Sequence, residues 1–423
     1  MKDIVVIDSK GLKMRGVLIA VIVAALIFAW FAVRWQFANL LAKLTPPTDP
    51  NAAAVARLAV AWSPADPAGY SLMADAGDDP QTTINAREEA VRLAPNDHRL
   101  RTELGRAYEQ NDQNDRAEIE FRRAVELAPS YGSTHWYLGN FLLRQERSEE
   151  ALDELRKSAD NNHLYREQVF SLAWDYFDKD PIRIEDLAGV KPEAIANLAY
   201  FFAARGRAEE SLRNWNKLTE IEKSRRVAVA KAIALGLFDQ RHFRQSLEFS
   251  KQYGADPDAA PEQISNPSFE KNIGESGDQR FGWQIARNDS KLDISPDNRV
   301  VHSGTRSLRM IFKGYGKPSL ANLFQTVVVE PGNKYQIRFW VRTENIKSAG
   351  PPMLEVLNAS DGNPIVTSLT FPDGTSNWQE FNFDFATPAD CGAVSIRTVR
   401  SFCGENCPIT GILWYDDFEL IKR

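Results

Sequence analysis

Lys334 to Arg342, KYQIRFWVR, is the stretch best equipped for recognition chemistry. As a strand it alternates, with Tyr335, Ile337, Phe339 and Val341 turned to a core and Gln336, Arg338, Trp340 and Arg342 turned away. A sugar ring stacks its C–H face on an aromatic plane and exchanges hydrogen bonds with guanidinium or carboxamide groups. Trp340, Arg338 and Gln336 are therefore candidate glycan contacts, with Arg397 of the run SIRTVR as a candidate neighbour. An outward Trp beside Arg serves equally well as the seat of a loop or of a helix. Trp283, Trp378 and Trp414 read as core.

Arrangements for catalysis are missing. His98, His135, His163, His242 and His302 have no metal-ligand spacing, and no Gly-x-Ser-x-Gly, P-loop or dinucleotide fingerprint occurs. Asp416 and Asp417 are neighbours on a strand pattern, so their side chains should point to opposite faces and not act together as acid and base. The chain is expected not to be an enzyme and to require no cofactor.

These residues need elements to hold them, and the first element is apolar. Gly16 to Val33 carries no charge; as a helix it covers about 27 Å, close to the roughly 30 Å of a bilayer core. Lys2, Lys10, Lys13 and Arg15 precede it, and only Arg34 and Lys43 follow closely. The positive-inside bias puts residues 1–15 in the cytoplasm, a transmembrane helix at 16–35, and the rest outside, as in a bacterial inner membrane facing the periplasm. A cleaved signal peptide is the alternative, against which the run is long and has no small-x-small site behind it. Outside the cytoplasm, Cys403 and Cys407 of the loop Cys-Gly-Glu-Asn-Cys are expected to form a disulfide; reduced thiols, or pairing of Cys391 with Cys403, are the alternatives. The net charge of −6 comes from interspersed signs and offers no basic face, which excludes nucleic acid as a partner.

Prolines at 45–50, TPPTDP, mark a linker, and a repeat occupies residues 51–258. Leu104, Gly105, Tyr108, Ala117, Phe121, Ala124 and Pro129 recur 34 residues on as Leu138, Gly139, Leu142, Ala151, Leu155 and Ser158. A further shift gives Leu172, Ala173 and Tyr176, and then Asp180-Pro181 replaces a normal second helix. Weaker copies follow at Leu198, Ala199, Phe202, Ser211, Trp215 and Leu218, and at Ile233, Ala234, Leu237 and Ser246. Gly and Ala at these offsets let two helices approach closely, while Tyr and Phe fill the gap between them. The pattern resembles tetratricopeptide repeats, which implies an all-α superhelical array that binds a protein partner. A spacer role is the alternative.

From Ile264 short alternating runs separated by Gly, Pro, Asn and Asp take over, and residues 261–423 read as all-β. Asn266-Pro267-Ser268-Phe269-Glu270, Gly282-Trp283, His302 to Leu308, Pro331 to Tyr335, Trp378 and Trp414 to Leu420 follow the order of the jelly-roll carbohydrate-binding modules of the galactose-binding-like superfamily, which the segment resembles. That resemblance implies a polysaccharide ligand and a structural Ca²⁺ at Glu270 and Asp417 with Ser303 beside it. The expected fold class is thus multidomain: a transmembrane helix, a tetratricopeptide-type array and a jelly-roll sandwich. The expected function is a membrane-anchored adaptor of envelope or exopolysaccharide assembly, with a purely structural scaffold and an accessory to a glycan-processing enzyme as alternatives.

Overall fold

Residues 12–77, 79–273, 279–286, 289–317, 320–405 and 407–423 are described by the computed structural model. Lys2, Lys10 and the rest of the expected cytoplasmic segment as far as residue 11 lie outside them.

A 33-residue helix, α1 (Leu12–Leu44), comes first. It is exposed on all sides through the uncharged run, yet Ala38 and Ala42 are buried with Ala52, Ala56 and Ala59 of α2 (Ala52–Trp62) and Leu72 of α3 (Pro67–Asp75). Residues 45–50 form the turn of this α1–α2 hairpin, with the Thr45 N–H donating to Leu41 O at 3.2 Å and that of Ala52 to Asp49 O at 2.9 Å. The expected linker is therefore a tight connection inside a packed cluster, because α1 outlasts the apolar run, which ends at Val33, as far as Leu44 and presents small alanines to its neighbours.

The helices α4 (Pro80–Leu93), α5 (His98–Glu109), α6 (Asn114–Leu127), α7 (Gly132–Arg144), α8 (Ser148–Asn161), α9 (His163–Tyr176) and α10 (Pro181–Ala188) complete a compact unit, Met1–Gly189. Side chains of Asp66, Asp79, Asp97, Asn162 and Asp180 accept backbone N–H groups at the starts of α3, α4, α5, α9 and α10, satisfying donors that helix geometry leaves unpaired. The helical periodicity and the repeat offsets meet here in pairs, α5 with α6 and α7 with α8. A Cβ on Gly105 would lie 2.9 Å from the Phe121 ring, and one on Gly139 2.8 Å from Leu155 Cγ, so both glycines are there for close approach. Gly139→Ala should accordingly cost about 1–3 kcal/mol through overpacking. A urea titration followed by helical circular dichroism would measure it, and a change under about 0.5 kcal/mol, the range of ordinary surface substitutions, would show that the helices can part freely.

The second unit, Val190–Arg423, begins with five more helices: α11 (Pro192–Ala203), α12 (Ala208–Asn216), α13 (Glu220–Ser224), α14 (Val227–Asp239) and α15 (Phe243–Gln252). Its strands are β1 (Gln284–Ile285), β2 (Leu292–Asp297), β3 (Ser307–Tyr315), β4 (Leu323–Val328), β5 (Lys334–Lys347), β6 (Pro352–Asn358), β7 (Pro364–Thr367), β8 (Gly374–Ala386), β9 (Ala393–Arg400) and β10 (Ile409–Lys422). They form two antiparallel sheets in the orders β1-β4-β9-β6-β7 and β2-β3-β10-β5-β8. Tyr335, Ile337, Phe339 and Val341 are wholly buried between the sheets, as the alternation of β5 predicts, together with Leu354, Val356, Val394, Ile396, Leu413 and Tyr415.

A second, smaller core joins helices to the sandwich. Phe243 and Leu247 of α15, with Phe238 of α14 beside them, are packed with Ala259, Phe281, Val328, Ala359 and Ala393. Val328 and Ala393 alternate with the core-facing Val327 and Val394, so the helix pair covers one end of the outer face of the β4–β9 sheet.

Candidate functional site

β5 presents its outward side chains as expected, but each is already engaged. Gln336 Nε2 donates to Asp384 Oδ1 at 3.0 Å, while Gln336 Oε1 accepts from the Arg423 guanidinium at 2.6 Å. Arg338 pairs with Glu419 on β10. The Trp340 ring is half-buried and stacks on the imidazole of His302, with centroids 3.9 Å apart and planes within 19°. His302 in turn meets Trp378 edge-on at 5.6 Å. Trp378, expected in the core, is half-buried, and its Nε1 donates to Val301 O at 3.1 Å. Trp340, His302 and Trp378 thus gather three rings at the surface. Trp283 and Trp414 are buried as expected.

Arg397 is not among them. It lies on β9 of the other sheet, where both Nε and a terminal nitrogen contact Glu355 Oε2 at 2.6 Å. Its register neighbours there are Phe324 on β4 and Glu355 on β6. The correction has a topological cause: β9 is inserted between β4 and β6, a pairing that no local pattern encodes.

Asp416 and Asp417 require a second correction. They were expected on opposite faces, yet both reach one loop. Asp417 has φ +50°, and the β10 register shifts between Asp416 and Glu419, so a bulge breaks the alternation. Asp416, fully buried, accepts the backbone N–H groups of His302 at 2.9 Å and Ser303 at 3.3 Å. Asp417 Oδ1 accepts from the hydroxyls of Ser303 at 2.7 Å and Ser268 at 2.5 Å, and its Oδ2 lies 2.6 Å from His302 Nδ1. Burial pushes the Asp416 carboxyl up to about 6, aided by the charge of Asp417. Burial alone would raise Asp417 too, but hydrogen bonds from Ser268, His302 and Ser303 outweigh it and hold that carboxyl below the usual range.

Glu270 grips the same loop one step on. Its carboxylate accepts the Thr305 N–H at 2.7 Å, the Thr305 hydroxyl, and the Arg306 N–H at 3.1 Å. Gly304 between these contacts has φ +65°, a conformation that glycine adopts without strain. Of the residues the family resemblance assigns to calcium, Ser303 and Asp417 meet and Glu270 holds the neighbouring positions. Their hard oxygens suit Ca²⁺ in chemistry, but all four carboxylate oxygens accept protein donors, and no metal-like group of three or more His, Cys, Asp or Glu converges among the described residues. The set does not fit a calcium site as it stands: hydrogen bonds close the sandwich between its opening segment and its last strand.

Cys403 and Cys407 are brought together as a bonded pair, with Cα atoms 5.8 Å apart, and Cys391 is separate and buried. Burial pushes the Cys391 thiol up to about 11, leaving it unreactive at neutral pH. His302 is the member of this ring cluster that sequence reasoning missed; it stood inside the family signature His302-Ser303-Gly304, but nothing local showed that its ring would stack on Trp340.

Comparison with known proteins bears on the two architectures separately. Residues 261–399 match the family described as Carbohydrate binding domain, CBM_4_9. No curated protein sequence matches the chain. Among solved structures, one titled "CBM4 structure and function" is 14% identical with a TM-score of 0.30, covering 38% of this chain and 99% of that one. A module called TmCBM61, solved in complex with β-1,4-galactotriose, is 18% identical with a TM-score of 0.25, covering 38% and 97%. The helical segment is similar to a thermophilic tetratricopeptide protein of Thermus thermophilus, at 20% identity and a TM-score of 0.26, covering 30% and 72%. The family match thus falls on the β-sandwich, over residues 261–399, and the helices before it pair, α5 with α6 and α7 with α8, at the offsets of the 34-residue repeat.

Proposed function

We propose that the protein is a non-enzymatic adaptor held by α1 in a membrane, whose repeats engage a protein partner and whose sandwich binds a polysaccharide outside the cytoplasm, in envelope or exopolysaccharide assembly. The family match over residues 261–399 carries the glycan part of this reading. Paired helices with an exposed outer surface support the protein-binding part, since such repeats bury their apolar faces only against neighbours. The length and hydropathy of α1, with none of its apolar window buried, support the anchor.

Two surfaces compete for the sugar. The first is the ring cluster of Trp340, His302 and Trp378, with Arg338 and Gln336 at its edge. The second is the part of the β4–β9–β6 outer face left open by the helices, where Phe324 is half-buried, Arg397 and Glu355 offer polar groups, and Phe402 is 86% exposed beyond β9. The first is preferred because three aromatic planes meet there. Glycan-array and calorimetric binding by the full chain in detergent, beside Trp340→Ala, Trp378→Ala and Phe324→Ala, decides between them. Loss of at least tenfold in affinity for Trp340→Ala or Trp378→Ala, equivalent to about 1.4 kcal/mol, with Phe324→Ala unchanged, is the expected result. The reverse pattern would move the site to the other sheet, and no binding by the wild type to any glycan would leave the protein-only scaffold.

A further inference from the structure

The α1–α2 hairpin has a geometry that bears on the membrane itself. Arg34 is the first charge after the uncharged run, and its guanidinium reaches Ala61 O, near the end of α2, at 3.4 Å. The Phe37 ring lies against Trp62 with centroids 5.1 Å apart and planes tilted by 42°. From Arg34 to Leu44 α1 climbs about 15 Å, and α2, with 11 residues, returns by about 16 Å. The far end of α2 therefore comes back to the level at which α1 leaves the apolar run. What it brings there is apolar: from Asn51 to Ala65 the only charge is Arg57. Trp35, Phe37, Leu58 and Trp62 are between 39 and 51% exposed, although they sit beside a packed alanine core that could have covered them.

We infer that the C-terminal half of α2 and the turn after it rest in the lipid headgroup boundary, so that Trp35, Phe37, Leu58 and Trp62 form an aromatic and aliphatic collar seating the first repeat on the bilayer. The occupant is lipid because the collar continues the surface of a helix of bilayer length, and Trp at the end of a span is the residue type that partitions to the interface. Arg34 and Arg57 add charges that attract lipid phosphates. The Asn39 Nδ2 donates to Asp66 Oδ2 at 2.8 Å, which lessens the need of the nearest carboxylate for water. A rigid seat follows: the repeats leave the membrane without a flexible tether.

This inference rests on α1 spanning the membrane, and the test separates the two. Full-length Leu58→Cys, Trp62→Cys and Asn51→Cys variants are labelled with an environment-sensitive fluorophore and reconstituted in phosphatidylcholine–phosphatidylglycerol vesicles carrying a nitroxide on the upper acyl chain; unsubstituted protein sets the background of Cys391. Asn51 begins α2, at its end away from the collar. Labels at 58 and 62 should be quenched by the lipid nitroxide several-fold more than the label at 51, and the label at 51 should be quenched more by aqueous iodide. Equal iodide quenching at all three positions, in protein that resists alkaline extraction from the vesicles, would overturn the collar. Release into the alkaline extract would overturn the span instead.

Discussion

Asp417→Ala is expected to lower the unfolding free energy of the sandwich by about 3–4 kcal/mol, because one carboxylate holds three donors from two distant segments. Ser268 is 149 residues away in sequence, and His302 115. Each charge-assisted bond is worth about 1.5–3 kcal/mol, less where water can replace it, and Ser303 is exposed. Alanine at φ +50° adds about 1 kcal/mol of backbone strain. Asp417→Asn separates the two contributions, since Asn tolerates that conformation but cannot accept on both sides of its head group; it should lose less. The stabilisation by Asp417 has a sign in pH. Its folded value lies below the unfolded one, so the contribution is complete above about 4 and is lost as pH falls through the lowered folded value. Asp416 acts in the opposite sense, losing stability as pH rises from its unfolded value toward about 6. Denaturant titration of the full chain, read by near-ultraviolet signals of Trp340 and Trp378 and repeated with Ca²⁺ and with chelator, measures all of this. A cost below about 1 kcal/mol, less than one such hydrogen bond, would show that the loop closes without Asp417, and a rise in stability with Ca²⁺ that Asp417→Ala abolishes would show that a cation can displace the hydrogen bonds.

The parts of this protein that were legible in its sequence are those written as local periods. β5 announces its inner and outer faces by strict alternation, and Gly105 and Gly139 announce close helix contacts because their spacing from Phe121 and Leu155 is fixed within one hairpin. The break in the repeat at Asp180-Pro181 was legible, but not that the short helix α10, capped by Asp180, would fill it. What escaped depends on long-range placement. The stacking of His302 on Trp340 spans 38 residues, and the bulge at Asp417 turns a carboxylate to the wrong face without any glycine or proline to signal it. Arg397 was assigned to the neighbourhood of Trp340 because strand order was unknown. Ala38 and Ala42 were invisible for another reason: small residues continue an apolar run and pack a helix pair equally well, and only the partner helix shows which they do.

Phe243→Ala should separate the helices from the sheet they cover. Phe243 is fully buried, lies edge-on to Phe238 at 5.2 Å, and shares a core with Leu247, Phe281, Val328 and Ala393. Removing a buried phenyl ring costs about 3–5 kcal/mol where the cavity cannot collapse, and here its surroundings include Val328 and Ala393 of the sheet and Phe238 of α14. In the wild type, helix and sheet signals of Val190–Arg423 should vanish together on adding urea, because one apolar core spans both. In the variant the helical signal should go first, splitting one transition into two. Coincident transitions at nearly unchanged urea midpoint would sink the idea that this core couples them. The same reasoning applies to a fragment cut at residue 261, where the family match begins: it would bare Val328, Ala393 and Phe281, and should be less stable and less soluble than a fragment starting at Val190. The carbohydrate-binding fold and the last repeat helices would then be one folding unit, and the sheet face beneath them would be closed to any glycan at that end.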